Sequence, residues 1–322
     1  MINEMMEYKK FGGTGVKVSI ISMGGHEYLS DGRSRGFNED FKLATTPGHI
    51  FEGFGQETRK KVMQIAYMHG LNLFDVTQDS EKEALGRNLS SLPPPYEVFV
   101  LTRPEGMVYT YDKYNVKMVR YELLEGEMER ILKLLRRDCL DFLNIAFMKE
   151  ALDNDEHYLD KIASNIEKLK ERGLIKRAVA DTFSGESTYL KQIERDCFDG
   201  ININFNLADC GALEKVLPLA HRMKLGVITR EAFMKGELFR MGEEVGLKNR
   251  GQLAQTALKW NLSFNEVTTV IMGTNNPDHL RENLEILNNL KLDKKDLEII
   301  ETLKGSKIFK DYEKRKNLEF FG

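Results

Sequence analysis

Eight times along this chain a short apolar run bounded by turn residues gives way to a longer amphipathic segment, and that alternation limits the fold more than any other feature. The runs are VSIISMG (18–24), LNLFDV (71–76), VFVLTR (98–103), LDFLNIAF (140–147), KRAVADT (176–182), GININFN (200–206), GVITREA (226–232) and TTVIMGT (268–274). Between them, segments such as TRKKVMQIAYMHG, ELLEGEMERILKLLRRD, DKIASNIEKLKERG and GQLAQTALKWNLS repeat apolar residues at helical spacing. Strands buried on both faces read as near-continuous apolar runs, because helices cover one side and packed side chains fill the other. With no Pro/Gly/Ser linker or low-complexity tract, the pattern predicts one closed (β/α)8 TIM barrel, α/β in class, over residues 1–322.

Composition then excludes several kinds of function. A net charge of −3, with Lys and Arg spread along the chain, gives no basic stripe for a nucleic acid backbone or an anionic membrane. Cys139, Cys197 and Cys210 stand apart, without CxxC spacing or neighbouring ligand histidines, which argues against disulfides and metal clusters and points to a reducing cytoplasm. The start MINEMMEYKKFG lacks an apolar signal core, and no stretch reaches the roughly 18 apolar residues that a membrane span needs.

Barrel chemistry sits at the carboxyl ends of the strands, so His26, Asp75, Arg103, Lys149, Asp181, Asn202, Asn206, Arg230 and Thr274 are candidates by position. Two connections exceed the usual two to six or so residues. Residues 26–57 follow the first run, long enough to cover the barrel mouth or to stand as a solvated ornament. Residues 105–115, with Tyr109, Tyr111 and Tyr114, supply a possible second wall.

In order and spacing the chain resembles the aldo/keto reductases along nearly its whole length. YKKFGGTGVKVSIISMG is similar to that family's opening hairpin and first strand, and GLNLFDV to its G-x-N-x-x-D-T strand. MERILKLLRRDCLDFLNI, LKERGLIKRAVADTFS, FDGININFNLAD, GVITREAFMKGEL and IMGTNNPDHLREN resemble its later helix-strand and loop motifs in turn. The resemblance implies an N-terminal hairpin on a TIM barrel and carbonyl reduction by NAD(P)H, with an Asp, Tyr, Lys and His handling the proton.

Of those four, Asp75 matches. The tyrosine position falls at Ser80 in a segment about two residues short, the lysine position at Arg103, and the histidine position at Ala146. An Asp75–Arg103 ion pair is expected, either as a structural remnant or as an anion site in which Arg103, joined by Arg230, grips a carboxylate or phosphate. A guanidinium cannot donate a proton near neutrality. His26 and Tyr28, directly after the first run, are therefore the candidate replacement acids, ahead of Tyr109 and Tyr111.

The resemblance also implies a dinucleotide across the last two strand ends. Phe233, Lys235, Gly236 and Leu238 fall on one cofactor loop, and Gly273, Thr274, Asn275, His279, Glu282 and Asn283 on the other. Asp181 or Thr182, with Asn202, stand where the family holds the nicotinamide carboxamide, and Arg230 where another residue often meets the ring. His279 takes the place of the cation that meets the NADP 2′-phosphate, so NAD and NADP stay undecided. Three functions are left open: an oxidoreductase with a non-standard site acting on a small carbonyl or alcohol, expected to be anionic; a catalytically inactive binding or regulatory homologue; and a non-redox lyase or isomerase on the same barrel.

Overall fold

Each of the eight apolar runs forms a strand of one parallel sheet that closes on itself. The computed structural model describes residues 6–28, 34–35, 40–107 and 112–322. An antiparallel hairpin, β1 (Tyr8–Lys10) and β2 (Lys17–Ser19), precedes the barrel. The barrel strands are β3 (Ile21–Gly24), β4 (Leu73–Val76), β5 (Phe99–Thr102) and β6 (Leu140–Ala146), then β7 (Ile175–Asp181), β8 (Gly200–Asn204), β9 (Gly226–Arg230) and β10 (Thr269–Met272). They neighbour one another in sequence order, and β10 returns to β3.

The hairpin plugs the base of the barrel. Phe11, fully buried, meets Phe142 edge-on with ring centroids 4.7 Å apart. A Cβ at Gly226 would stand 2.5 Å from the Phe11 ring, so only glycine lets the ring in here. Above Phe11 the interior is a small apolar cluster that includes Leu73, Phe99, Leu101, Val179 and Ile228. A much larger cluster lies outside, between the strands and the helices.

The predicted amphipathic segments form the helices Glu57–Met68, Tyr121–Leu135, Tyr158–Glu171 and Arg250–Leu262. Two further helices, Lys294–Gly305 and Lys307–Phe321, fall outside the segments singled out in the sequence. Few of their residues are buried, chiefly Ile299, Leu303, Phe309 and Tyr312, so their periodicity is faint. The last helix seats its Phe320 backbone against Gly185 and its Phe320 and Phe321 rings against Gly211, in the loops that follow β7 and β8.

Register decides which polar residues enter the barrel. Asp75 pairs with Leu101, Asn144 with Val179 and Asn202 with Ile228, and each partner belongs to the interior cluster. Registered neighbours face the same side of a sheet, so Asp75, Asn144 and Asn202 point inward. Two residues beyond the partners Leu101, Val179 and Ile228, Arg103, Asp181 and Arg230 do the same.

Candidate active site

Toward the carboxyl ends of the strands the interior changes from apolar to charged. Arg230 donates to both carboxylate oxygens of Asp181, at 2.6 and 2.7 Å, and through Nε to Asn204 at 2.6 Å. Its guanidinium also lies 4.7 Å from the centre of the Phe183 ring. Asp181 is fully buried and accepts a further bond from Asn144 at 3.1 Å. Burial disfavours the charged guanidinium, but the Asp181 carboxylate outweighs it and raises the Arg230 pKa.

The expected Asp75–Arg103 ion pair is not formed. Arg103 instead clasps Glu105, two residues on, with Nε at 2.8 Å and Nη2 at 3.2 Å from the two carboxylate oxygens. Glu105 is 1% exposed, and a carboxylate so deeply buried needs a cation; the turn Glu105–Met107 brings it within reach of its own chain. Both inward arginines thus have buried carboxylate partners. The premise of two uncompensated cations waiting for an anion does not hold.

Asp75 keeps other company. Its carboxylate makes no hydrogen bond among the described residues, and burial pushes its pKa up to about 6, with His26, Arg230 and Arg103 opposing and Glu81 adding to the rise. Beside it the chain leaving β3 passes unusually close to β4. A Cβ at Gly25 would stand 2.7 Å from the Asp75 carbonyl oxygen, and this close approach brings His26 over the end of β4.

There, His26 Nδ1 lies 2.6 Å from Glu81 Oε1. Glu81 is 1% exposed, while the imidazole keeps 36% of its surface open. The other Glu81 oxygen accepts the backbone N–H groups of Thr77 at 2.7 Å and Gln78 at 3.2 Å, reaching back as the third residue of the helix Asp79–Ser91. Burial would lower the pKa of His26. The charge and hydrogen bond of Glu81, helped by the charge of Asp75, overturn that and raise it, with Arg103 opposing.

Tyr28 is at the same mouth in a different role. Its hydroxyl lies over Gly273, where a Cβ would stand 2.9 Å away, and Asn275 donates to its carbonyl oxygen at 3.0 Å. Burial of the phenol, then the Glu81 charge, push its pKa up to about 12 against the opposing Arg59. Tyr28 therefore stays neutral and serves as a hydrogen-bonding group better than as a proton source.

The long connection after β3 is anchored along the helix Asp79–Ser91. Phe51 N–H donates to Ser80 Oγ at 2.8 Å, Gly48 N–H to Asp79 at 2.7 Å, and Asn88 to the Gly55 carbonyl at 2.8 Å. In its described part this connection is a built wall beside the mouth. Tyr109 and Tyr111 lie outside the described residues. Lys149 is on the surface with Asp153 at 3.3 Å, and Asn206 shapes a turn by accepting from Ala208 and Asp209.

The aldo/keto reductase family model matches residues 44–304. The chain belongs to the aldo/keto reductase family. Its fold is similar to that of the aldo-keto reductase AKR11C1 from Bacillus halodurans in its holo form. The two share a TM-score of 0.67 and 16% identity over 92% of this chain and 96% of that one. No curated protein matches the sequence.

Aldo/keto reductases generally use NAD(P)H, and much of this barrel top suits such a group. Asn202 is 2% exposed and its Oδ1 has no donor among the described residues, as a carboxamide-binding acceptor would be. Lys235 and Gly236 have left-handed backbones ahead of the helix Glu237–Glu244, and a Cβ at Gly236 would meet only open space. On the other ledge Asn275 Oδ1 also lacks a donor among the described residues, Thr274 Oγ1 accepts Asn276 N–H at 3.1 Å, and Glu282 lies across Gly251. His279 is exposed.

Some expected cofactor residues face elsewhere. The Asp181 carboxylate is occupied by Arg230, and Thr182 Oγ1 accepts Ser184 N–H at 3.0 Å, so of these three side chains Asn202 alone keeps an open acceptor among the described residues. Leu238 is wholly buried, and Asn283 turns inward toward Met272 Sδ at 3.3 Å, so both support the ledge from below. Phe233 packs on Phe239 with ring centroids 5.7 Å apart.

Three residues that the sequence reading passed over matter here: Glu81, Glu105 and Arg59. The last bridges the carbonyls of Gly24 and Thr274, at 2.5 and 3.3 Å, across the β3–β10 seam. A glutamate three residues into a helix is a readable capping signal. Its bond to a histidine 55 positions away is not.

Proposed function

We propose that this aldo/keto reductase is an NAD(P)-dependent oxidoreductase in which His26 exchanges the substrate proton that a tyrosine at position 80 would otherwise handle. The observation that carries the reading is the 2.6 Å contact of His26 with Glu81, next to Asp75 at the strand ends. A bound nicotinamide supplies or accepts the hydride. Asn202 and the ledges at 233–236 and 273–282 would hold the dinucleotide, and His26, held above its ordinary pKa, moves the proton near neutral pH.

The substrate is a small carbonyl compound or alcohol, and an uncharged one suits this mouth, because its arginines already face Glu105 and Asp181. Neither His279 nor its neighbours favour NADP over NAD, since Arg281 is engaged with Asp278 at 2.7 Å. Three unpaired cysteines, and the absence of any helix long and apolar enough to cross a membrane among the described residues, suit a cytoplasmic setting.

Fluorescence titration with NADH and NADPH, followed by a panel of aldehydes and ketones, tests the reading. Binding of either dinucleotide with turnover supports it. A second reading, non-redox proton transfer on the same barrel, draws on the occupied Asp181 carboxylate. Failure of both dinucleotides to bind would select that alternative.

A further inference from the structure

His26 owes its orientation to a residue that lies neither on its own strand nor on the strand beside it. Glu81 is held from three directions, by the N–H groups of Thr77 and Gln78 on one oxygen and by His26 Nδ1 on the other. A carboxylate 1% exposed is stable only when its lone pairs are met, and these contacts meet them. It also lies in the first turn of a thirteen-residue helix, where the helix dipole favours negative charge. Glu81 is thus a fixed acceptor. A 2.6 Å separation lies at the short end of charge-assisted N–H···O distances.

We propose that Glu81 is a positioning residue whose carboxylate fixes the His26 ring with Nδ1–H bound, so that Nε2 is the nitrogen that passes a proton to the substrate oxygen. This rests on the reading of His26 as the proton-exchanging group and adds the residue that makes it competent. As the proton leaves, the Nε2–H bond breaks with its electron pair retained on nitrogen, and an O–H bond forms on the substrate. The resulting neutral imidazole keeps its bond to Glu81 and regains a proton from bulk water.

Among the described residues the charges acting on the ring are Glu81 and Asp75, which favour the imidazolium, and Arg103, which disfavours it, with the neutral Tyr28 at the same mouth. The two carboxylates prevail. A raised His26 pKa favours the protonated ring and so a donor, the direction that carbonyl reduction requires.

The test follows the histidine Cε1–H signals of the full chain by NMR against pH, without added dinucleotide, with His26 assigned by its loss in His26→Gln. We expect the His26 midpoint to lie above the ordinary value of about 6.5 and to fall by about one unit or more in Glu81→Gln, a tenfold loss of proton affinity. Glu81→Asp should fall between them. Glutamine keeps an oxygen for the Thr77 and Gln78 N–H groups, so the fold should survive. If it does not, the ¹⁵N shifts of the wild-type ring decide the matter, because the proposal requires the Nδ1–H tautomer in the neutral form. An unchanged midpoint in Glu81→Gln, or a neutral ring protonated on Nε2, overturns the proposal. With a reducible carbonyl in hand, Glu81→Gln should lower kcat about tenfold or more at little change in KM. If the titrations behave as expected but no carbonyl is turned over, the oxidoreductase reading fails while the positioning role of Glu81 stands.

Discussion

Ser80 accepts the backbone N–H of Phe51 at 2.8 Å and so ties the long connection after β3 to the helix that follows β4. This position, where the family resemblance places the proton-donating tyrosine, is 1% exposed and committed to holding that connection in place. An aromatic ring there would displace the loop. The triple variant Ser80→Tyr, Arg103→Lys, Ala146→His is therefore expected to gain no reductase activity and to lose about 1–3 kcal/mol from overpacking alone, measured by urea denaturation.

Next to Ser80, Asp79 accepts from Lys82 at 3.0 Å, Arg130 at 2.5 Å and Gly48 N–H at 2.7 Å. Burial opposes its ionisation, but the Lys82 charge and the Arg130 and Gly48 bonds win and lower its pKa to about 2. A carboxylate depressed in the folded state stabilises fully above its unfolded pKa and loses that contribution as pH falls through the folded one. Between pH 4 and pH 2 the wild type should lose about 2 kcal/mol that Asp79→Asn does not, read as the difference between their denaturation curves.

Strand order and the closed barrel were legible, because eight near-continuous apolar runs with turn residues between them leave few topologies open, and the N-terminal hairpin was legible through the family resemblance. Asp75 and His26 were legible by position alone. Partner choice was not. Arg103 has one carboxylate two residues on and another at the end of the neighbouring strand, and nothing in the residues VFVLTRPEG says that its fork closes on Glu105 and leaves Asp75 without a hydrogen bond among the described residues. The pairing of Arg230 with Asp181 likewise depends on barrel closure, which brings two residues 49 positions apart face to face.

That second pair carries its own expectation. Asp181 is wholly buried, so Arg230→Ala leaves an uncompensated charge inside the barrel and should cost about 3–5 kcal/mol. Adding Asp181→Asn should restore much of it. Equal stability of Arg230→Ala and wild type in urea would show that the pair contributes little.

Asp75 should behave in the opposite sense to Asp79. Its folded pKa of about 6 lies above the unfolded value, so its ionisation destabilises the protein, and stability from this group is regained as pH falls from 7 toward 4. Asp75→Asn is expected to be about 2 kcal/mol more stable than wild type at pH 7, with the gain vanishing near pH 4. Thermal melting at the two pH values checks both signs.

The central claim is that the proton of this oxidoreductase passes through His26. Its most direct test is the rate at which His26→Gln turns over a carbonyl that the wild type reduces, measured with dinucleotide affinity in parallel. The account predicts a fall in kcat of about 10²–10⁴-fold with dinucleotide binding unchanged. A His26→Gln enzyme as fast as wild type would contradict it.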